Sequence, residues 1–126
     1  MSLILDAGAF FAVERGDRNI VALIKQELLA QRVPTTHGGI VGQVWRGGSG
    51  RQANLARFLP SVEVVPLDRA LGLRAGVLLR EARQADVMDA ALVLLARDGD
   101  MILTSDPGDL QPLAATSEIH LDILTV

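Results

Sequence analysis

The sequence predicts an α/β domain of three layers, with a mostly parallel five-stranded sheet between two sets of helices. Short apolar runs alternate with longer stretches of helical periodicity from one end to the other. At 126 residues, 49% of them hydrophobic, the chain suits one domain with a core buried from both sides of a sheet. No repeat, low-complexity segment or linker divides it, so residues 1–126 read as a single domain.

Ser2 to Leu5 is an apolar run closed by Asp6, the pattern of a buried strand with an acid at its carboxyl end. Ala7 to Val13 starts a helix. Asp17 is placed to cap a second helix, in which Ile20, Val21, Leu23, Ile24, Leu28 and Leu29 recur with helical spacing through Gln31. Val33 to Thr36 reads as a short second strand or a strand-like link, with Pro34 tolerated only near a strand's start or edge. His37 to Arg46 carries Ile40, Val41 and Val44 at helical spacing, but Gly38, Gly39 and Gly42 make it a weak helix that packing must stabilise.

The glycine-rich stretch Gly47 to Gly50 is a flexible break, after which Leu55, Phe58 and Leu59 mark a short helix stopped by Pro60. Val62 to Val65 is the third strand. Asp68 caps a helix to about Arg83, with Leu71, Ala75, Leu78, Leu79 and Ala82 as its inner stripe. Asp86 opens a helix that is apolar over much of its circumference, as expected against a sheet. Met101 to Thr104 is the fourth strand. Pro107 stands in the favoured first turn of a short helix, and His120 to Leu124 is the fifth strand.

The absence of cysteine removes disulfides, iron–sulfur clusters and thiolate zinc sites. His37 and His120 are far apart and lack zinc-ligand spacing, so a satisfied structural role is expected of each. The opening segment has no cationic leader and Asp6 interrupts its apolar run, so neither a signal peptide nor a membrane anchor is expected, and the default location is cytoplasmic.

Net charge is only −3, but its distribution is uneven. Arg46, Arg51, Arg57, Arg69, Arg74, Arg80 and Arg83 dominate one stretch, whereas Asp86, Asp89, Asp98, Asp100, Asp106 and Asp109 crowd the next. A basic surface beside an acidic cluster suits an enzyme that grips a phosphate backbone and neutralises it locally with metal.

Ligands of a parallel sheet collect beyond the carboxyl ends of its strands, where the winding direction reverses. Asp6 ends the first strand, Asp106 follows the fourth, and Asp86 and Asp89 begin a helix rising from the same edge. Capping alone could account for Asp86 with Asp89, and for Asp106 with Asp109. Asp6 has no capping role of equal strength, because an ionisable group closing a buried strand is costly unless paired or liganded. Clustered carboxylates repel and hold their protons until a cation intervenes. All-oxygen ligation suits magnesium or manganese.

These residues resemble a known family. Leu3 to Gly8, with Asp6 inside it, resembles the first strand of PIN domains, especially the VapC-type toxins of toxin–antitoxin pairs. Asp89 to Ala96 resembles the family's acid-led helix, and Ile102 to Asp106 resembles its strand ending in Thr-x-Asp, here Thr104 and Asp106. The match implies an endoribonuclease dependent on Mg2+ or Mn2+, with Asp6, Asp89 and Asp106 as catalytic metal-site acids and Asp86 as a further candidate. It also implies homodimerisation and a small antitoxin protein that blocks the site. RNA is the implied substrate.

One departure stands out. Where the family carries a glutamate before a Val-Trp-Arg-like segment, this chain has Gln43 before Val44, Trp45 and Arg46. An amide can accept a hydrogen bond but brings no charge and cannot act as a base. Asp86 and Asp109 are the residues placed to restore that charge, with Thr104 as an auxiliary hydroxyl. A second reading is therefore a catalytically weakened PIN scaffold that binds RNA or an antitoxin as a regulatory module. Arg46 and Arg51 are candidate contacts for RNA or an acidic antitoxin tail, and Trp45 is expected in the core or a dimer interface.

Haloacid-dehalogenase chemistry needs a second aspartate two residues after the first, where Gly8 stands. A receiver domain needs a late lysine, and Lys25 is the sole lysine. A P-loop needs lysine and a hydroxyl residue after the glycines, which Gly47 to Gly50 lack, and no serine nucleophile motif is present.

Overall fold

A computed structural model of the protein describes residues 1–48 and 50–126. Of the glycine-rich break, Ser49 lies outside the described residues, and Gly47, Gly48 and Gly50 all take positive φ. The strands are β1 (Leu3–Leu5), β2 (Thr35–His37), β3 (Glu63–Val65), β4 (Met101–Thr104) and β5 (Asp122–Thr125). They form one five-stranded sheet in the order β3-β2-β1-β4-β5, and each adjacent pair is parallel.

That order decides where everything else goes. From β1 the chain steps outward to β2 and β3, then returns across the sheet to β4 and continues to β5. Right-handed crossovers put the helices of the outward leg on one face and those of the return on the other. The first group is α1 (Ala7–Glu14), α2 (Arg18–Leu29), α3 (Gly38–Val44) and α4 (Ala53–Phe58), the last continued by a 3-10 turn at Leu59–Ser61. The second is α5 (Arg69–Ala82), α6 (Val87–Leu94) and α7 (Pro107–Ser117), which pack on one another. The three-layer α/β arrangement expected from the alternating pattern is present, with a sheet that is parallel throughout.

Central strands covered on both faces must be apolar throughout. Leu3, Ile4 and Leu5 of β1 are all buried, as are Ile102 and Leu103 of β4, and they meet Phe10, Ile40, Leu92, Leu110 and Leu113 from the helices. Each fully buried side chain of this size contributes about 1.5–3 kcal/mol relative to exposure. The outer strands are more exposed: Val64 of β3 and Leu124 of β5 stand in part in solvent. Among the described residues, no helix is long and apolar enough to cross a membrane.

Several element boundaries differ from the sequence pattern where local chemistry intervenes. Helix α2 ends at Leu29 rather than Gln31, because Gln31 adopts a left-handed φ of 59° that closes the helix. Strand β2 covers Thr35–His37 rather than Val33–Thr36, its register set by Thr35 opposite Glu63 and His37 opposite Val65. Strand β5 begins at Asp122 rather than His120, whose N–H is taken by Asp98 Oδ1 and whose carbonyl is taken by Gly99. Trp45 is not in the core of the chain: it is 39% exposed at the C-cap of α3.

Candidate functional site

The winding direction reverses between β1 and β4, so the crevice beyond their carboxyl ends is the fold's natural ligand position. Leu5 pairs with Leu103, and the Asp6 N–H continues the ladder to the Leu103 carbonyl at 3.0 Å. Register alone therefore sets Asp6 beside Thr104. The carboxylate is buried, and its two oxygens have different partners. Oδ1 accepts from the Ala7 N–H at 2.8 Å, and Oδ2 accepts from the Thr104 hydroxyl at 2.6 Å. Thr104, itself fully buried, accepts in turn from the Asp106 N–H at 3.0 Å. A single hydroxyl thus joins the acid after β1 to the acid after β4.

At two of the acids, capping runs opposite to expectation. Asp6 does cap a helix, since its Oδ1 takes the first free N–H of α1. The turn from β1 into α1 is immediate, so the strand-end acid is also the N-cap residue. Asp106 does the reverse: it stands at the N-cap position of α7 without a side-chain cap hydrogen bond, and it is exposed. Pro107 supplies no N–H, and the Asp106 backbone is committed to Thr104, which leaves its carboxylate free for other work.

Asp86 caps α6, accepting from the N–H groups of Met88 at 2.9 Å and Asp89 at 3.2 Å. Asp89 is then free of capping duty and partly buried in the first turn of α6. Its carboxyl pKa is pushed up to about 7, first by burial and then by the negative charges of Asp86, Asp6, Asp109 and Asp106. Carboxylates from the ends of β1 and β4 and from the first turn of α7 thus share one electrostatic neighbourhood with α6. Among the described residues, however, no three acidic or histidine side chains stand close enough to form a closed metal-ligand set.

The environment of His37 fits the satisfied structural role expected of it. The ring is fully buried at the end of β2, its Nδ1 accepts from the Gly39 N–H at 3.1 Å, and its Nε2 lies 2.9 Å from the Met88 carbonyl. Burial holds its pKa below the ordinary value, against the opposing pull of the Met88 carbonyl and the Asp6 charge. Its reach to α6 has no sequence signal, because the two residues are 51 positions apart.

Gln43 is exposed on α3, four residues after Gly39 and hence on the same side of the helix. That side faces α6: a methyl group on Gly39 would overlap Met88 Sδ. Asp109 lies exposed in the first turn of α7. Arg46 and Arg51 are both exposed, and Arg46 Nη1 donates back to the carbonyls of Gly42 and Trp45 at the end of α3.

Gly8 is a further site residue that patterning does not reveal. A Cβ there would overlap Ser105 Oγ and lie 2.9 Å from the Ser105 backbone nitrogen. Because the backbone must give way as well as the hydroxyl, Gly8→Ala is expected to destabilise the protein by about 1–3 kcal/mol and to part Asp6 from Asp106. Urea denaturation measures the first effect. Loss of the downfield Thr104 hydroxyl proton resonance reports the second, and an unshifted resonance would show that the turn absorbs the methyl group.

No model of a known protein family matches the chain, and no curated protein matches it. What the site can do therefore follows from its own residues.

Proposed function

We propose that the protein is a PIN-type endoribonuclease of the VapC kind, hydrolysing RNA phosphodiester bonds with the help of Mg2+ or Mn2+. The observation that carries this reading is the linkage of Asp6 to Asp106 through Thr104 at the switch point of a parallel sheet. The donor set fits such a cation. It is composed of carboxylate oxygens, as hard divalent ions prefer, and the charges of Asp86, Asp6, Asp109 and Asp106 all oppose ionisation of Asp89.

Asp6, Asp89 and Asp106 are the residues that would hold the metal, with Asp86 and Asp109 adding charge from the next turn. A bound divalent cation supplies positive charge that neutralises the scissile phosphate and acidifies water for attack. The chain does the rest. Thr104 fixes the rotamer of Asp6 by donating to Oδ2, and the Ala7 N–H fixes Oδ1. Asp89 must release its proton before it can ligate, which ties function to pH. Arg46 and Arg51, on the loop side of α3, suit contact with phosphates.

Cytoplasmic location, homodimerisation and a small antitoxin partner accompany this reading. An open groove of about 650 Å3 between α1, α2 and α4 has an apolar floor including Val13, Ile24 and Phe58, and a rim of Arg18, Lys25 and Arg57. That combination suits an amphipathic acidic segment. Gln43 favours a second reading, a weakened PIN scaffold that binds RNA or an antitoxin without cutting it efficiently.

The purified protein incubated with structured RNA and Mn2+ is expected to cleave it, and excess EDTA is expected to stop the reaction. Cleavage that persists in EDTA would remove the metal from the proposal. Gln43→Glu in the same assay separates the two readings. If the missing charge limits the enzyme, the variant cuts about tenfold faster at sub-saturating Mn2+. An active wild type left unchanged by the substitution would leave the weakened scaffold without support.

A further inference from the structure

The peptide unit between Met88 and Asp89 is gripped from both ends. Its N–H, on Asp89, donates to Asp86 Oδ1 at 3.2 Å, and its carbonyl, on Met88, lies 2.9 Å from His37 Nε2. The first grip is local to α6, and the second comes from another strand. Since Nδ1 of the same ring accepts from the Gly39 N–H, the proton must sit on Nε2, and the imidazole is the neutral tautomer that donates to Met88. The ring is fully buried and both its nitrogens are engaged, so it cannot swing away to another partner. The absence of a side chain on Gly39 lets α3 approach Met88 closely enough for this bridge: a Cβ there would overlap Met88 Sδ and meet His37 Cε1 at 3.0 Å.

Rotation of that peptide plane would re-aim the Cα–Cβ bond of Asp89, whose carboxyl feels the Asp6 charge across the crevice. We propose that His37 is a positioning residue for the metal site: its bridge from Gly39 to the Met88 carbonyl fixes the peptide from which the Asp89 side chain projects. The role rests on the metal-site reading above, since it concerns one of the acids that reading employs. It adds a contact the acids themselves do not disclose. An ordinary N-cap needs only the Nδ1 half of the ring, and serine or asparagine would supply that at the start of α3. The Nε2 half is what reaches α6.

The two halves can be separated by substitution. His37→Asn preserves an acceptor near the Nδ1 position and removes the reach to Met88, whereas His37→Gln places an amide N–H close to the Nε2 position. Mn2+ binding to each metal-free protein, followed by electron paramagnetic resonance, is the first readout. Asparagine is expected to weaken binding tenfold or more, in the range typical of groups that orient ligands, and glutamine to stay within about threefold of wild type. Equal losses in the two variants, or no loss in asparagine, would overturn the proposal.

The Asp89 amide proton provides a second readout that does not require metal. It should move upfield in His37→Asn and hold its position in His37→Gln. If wild type failed to bind Mn2+, the metal-site reading would fall, and the amide shift would still decide whether His37 sets the Asp89 peptide. Should asparagine prevent folding, a scalar coupling across the Nε2–H···O=C bond to Met88 in the wild-type protein decides the matter. Its absence, or a proton found on Nδ1, would end the claim.

Discussion

Replacing Asp89 by asparagine should make the metal-free protein more stable at pH 8 while weakening its hold on metal. The neutral side chain is nearly isosteric and keeps the first turn of α6, whose cap comes from Asp86. What disappears is a partly buried charge surrounded by Asp86, Asp6, Asp109 and Asp106. The folded protein binds the Asp89 proton more tightly than the unfolded chain does, its pKa being raised from 3.8 to about 7. The protonated form's contribution to stability is therefore full below pH 3.8 and drains away as pH rises to about 7. Wild type should lose stability across that window in EDTA, and the asparagine variant should lose less.

At pH 8 the difference should reach about 1–2 kcal/mol, after allowing for solvent screening of a carboxyl that is not fully buried. At pH 4 it should be close to nothing. Urea denaturation at both pH values measures the effect, and a variant with the same advantage at each would show that charge is not the cause. Mn2+ affinity should meanwhile fall at least tenfold. Wild-type affinity should also climb by up to a factor of ten per pH unit toward pH 7 and level off above it, because metal and proton compete for one carboxylate.

Asp6→Asn should act in the opposite sense on stability and still more strongly on cleavage. Asp6 accepts two hydrogen bonds, and Asn can reproduce only the one from Ala7. Its amide N–H2 would confront the Thr104 hydroxyl, whose oxygen already accepts from the Asp106 N–H. That hydroxyl proton, in a fully buried residue, would need a new acceptor. Leaving it without one costs about 1–3 kcal/mol, so the variant should be less stable by that order at any neutral pH. RNA cleavage with Mn2+ should fall at least a hundredfold, through loss of a ligand charge and of the linkage to Asp106 together. Retention of wild-type cleavage would remove Asp6 from the reaction.

The contrast between these variants reflects two kinds of acid. Asp6 is built into the fold by hydrogen bonds at both oxygens, and losing its charge breaks structure. Asp89 is tolerated by the fold rather than required by it. An acid that lowers stability where it stands, with burial and neighbouring charge both against ionisation, is the usual mark of a group kept for binding or chemistry.

Much of this is legible from residue order. The apolar runs at Leu3 to Leu5 and Met101 to Thr104 mark strands because a sheet covered on both faces admits little else, and Asp6 and Asp106 follow them closely. The caps at Asp17, Asp68 and Asp86 are equally readable, since capping bonds span two or three residues. By contrast, the Thr104 hydroxyl that joins Asp6 to the Asp106 N–H lies 98 residues from Asp6. Nothing in periodicity carries that distance. The same holds for His37 and Met88, and for Gly8 beneath Ser105.

Local pattern, then, determined the kinds and order of the elements and put acids at strand ends, because hydrophobic period and capping act over a few residues. Tertiary structure alone decided the strand order β3-β2-β1-β4-β5, the joining of Asp6 to Asp106 through Thr104, and which peptide His37 would hold. Those outcomes depend on pairing and packing between segments far apart in the chain. Their energies exist only once the segments have met.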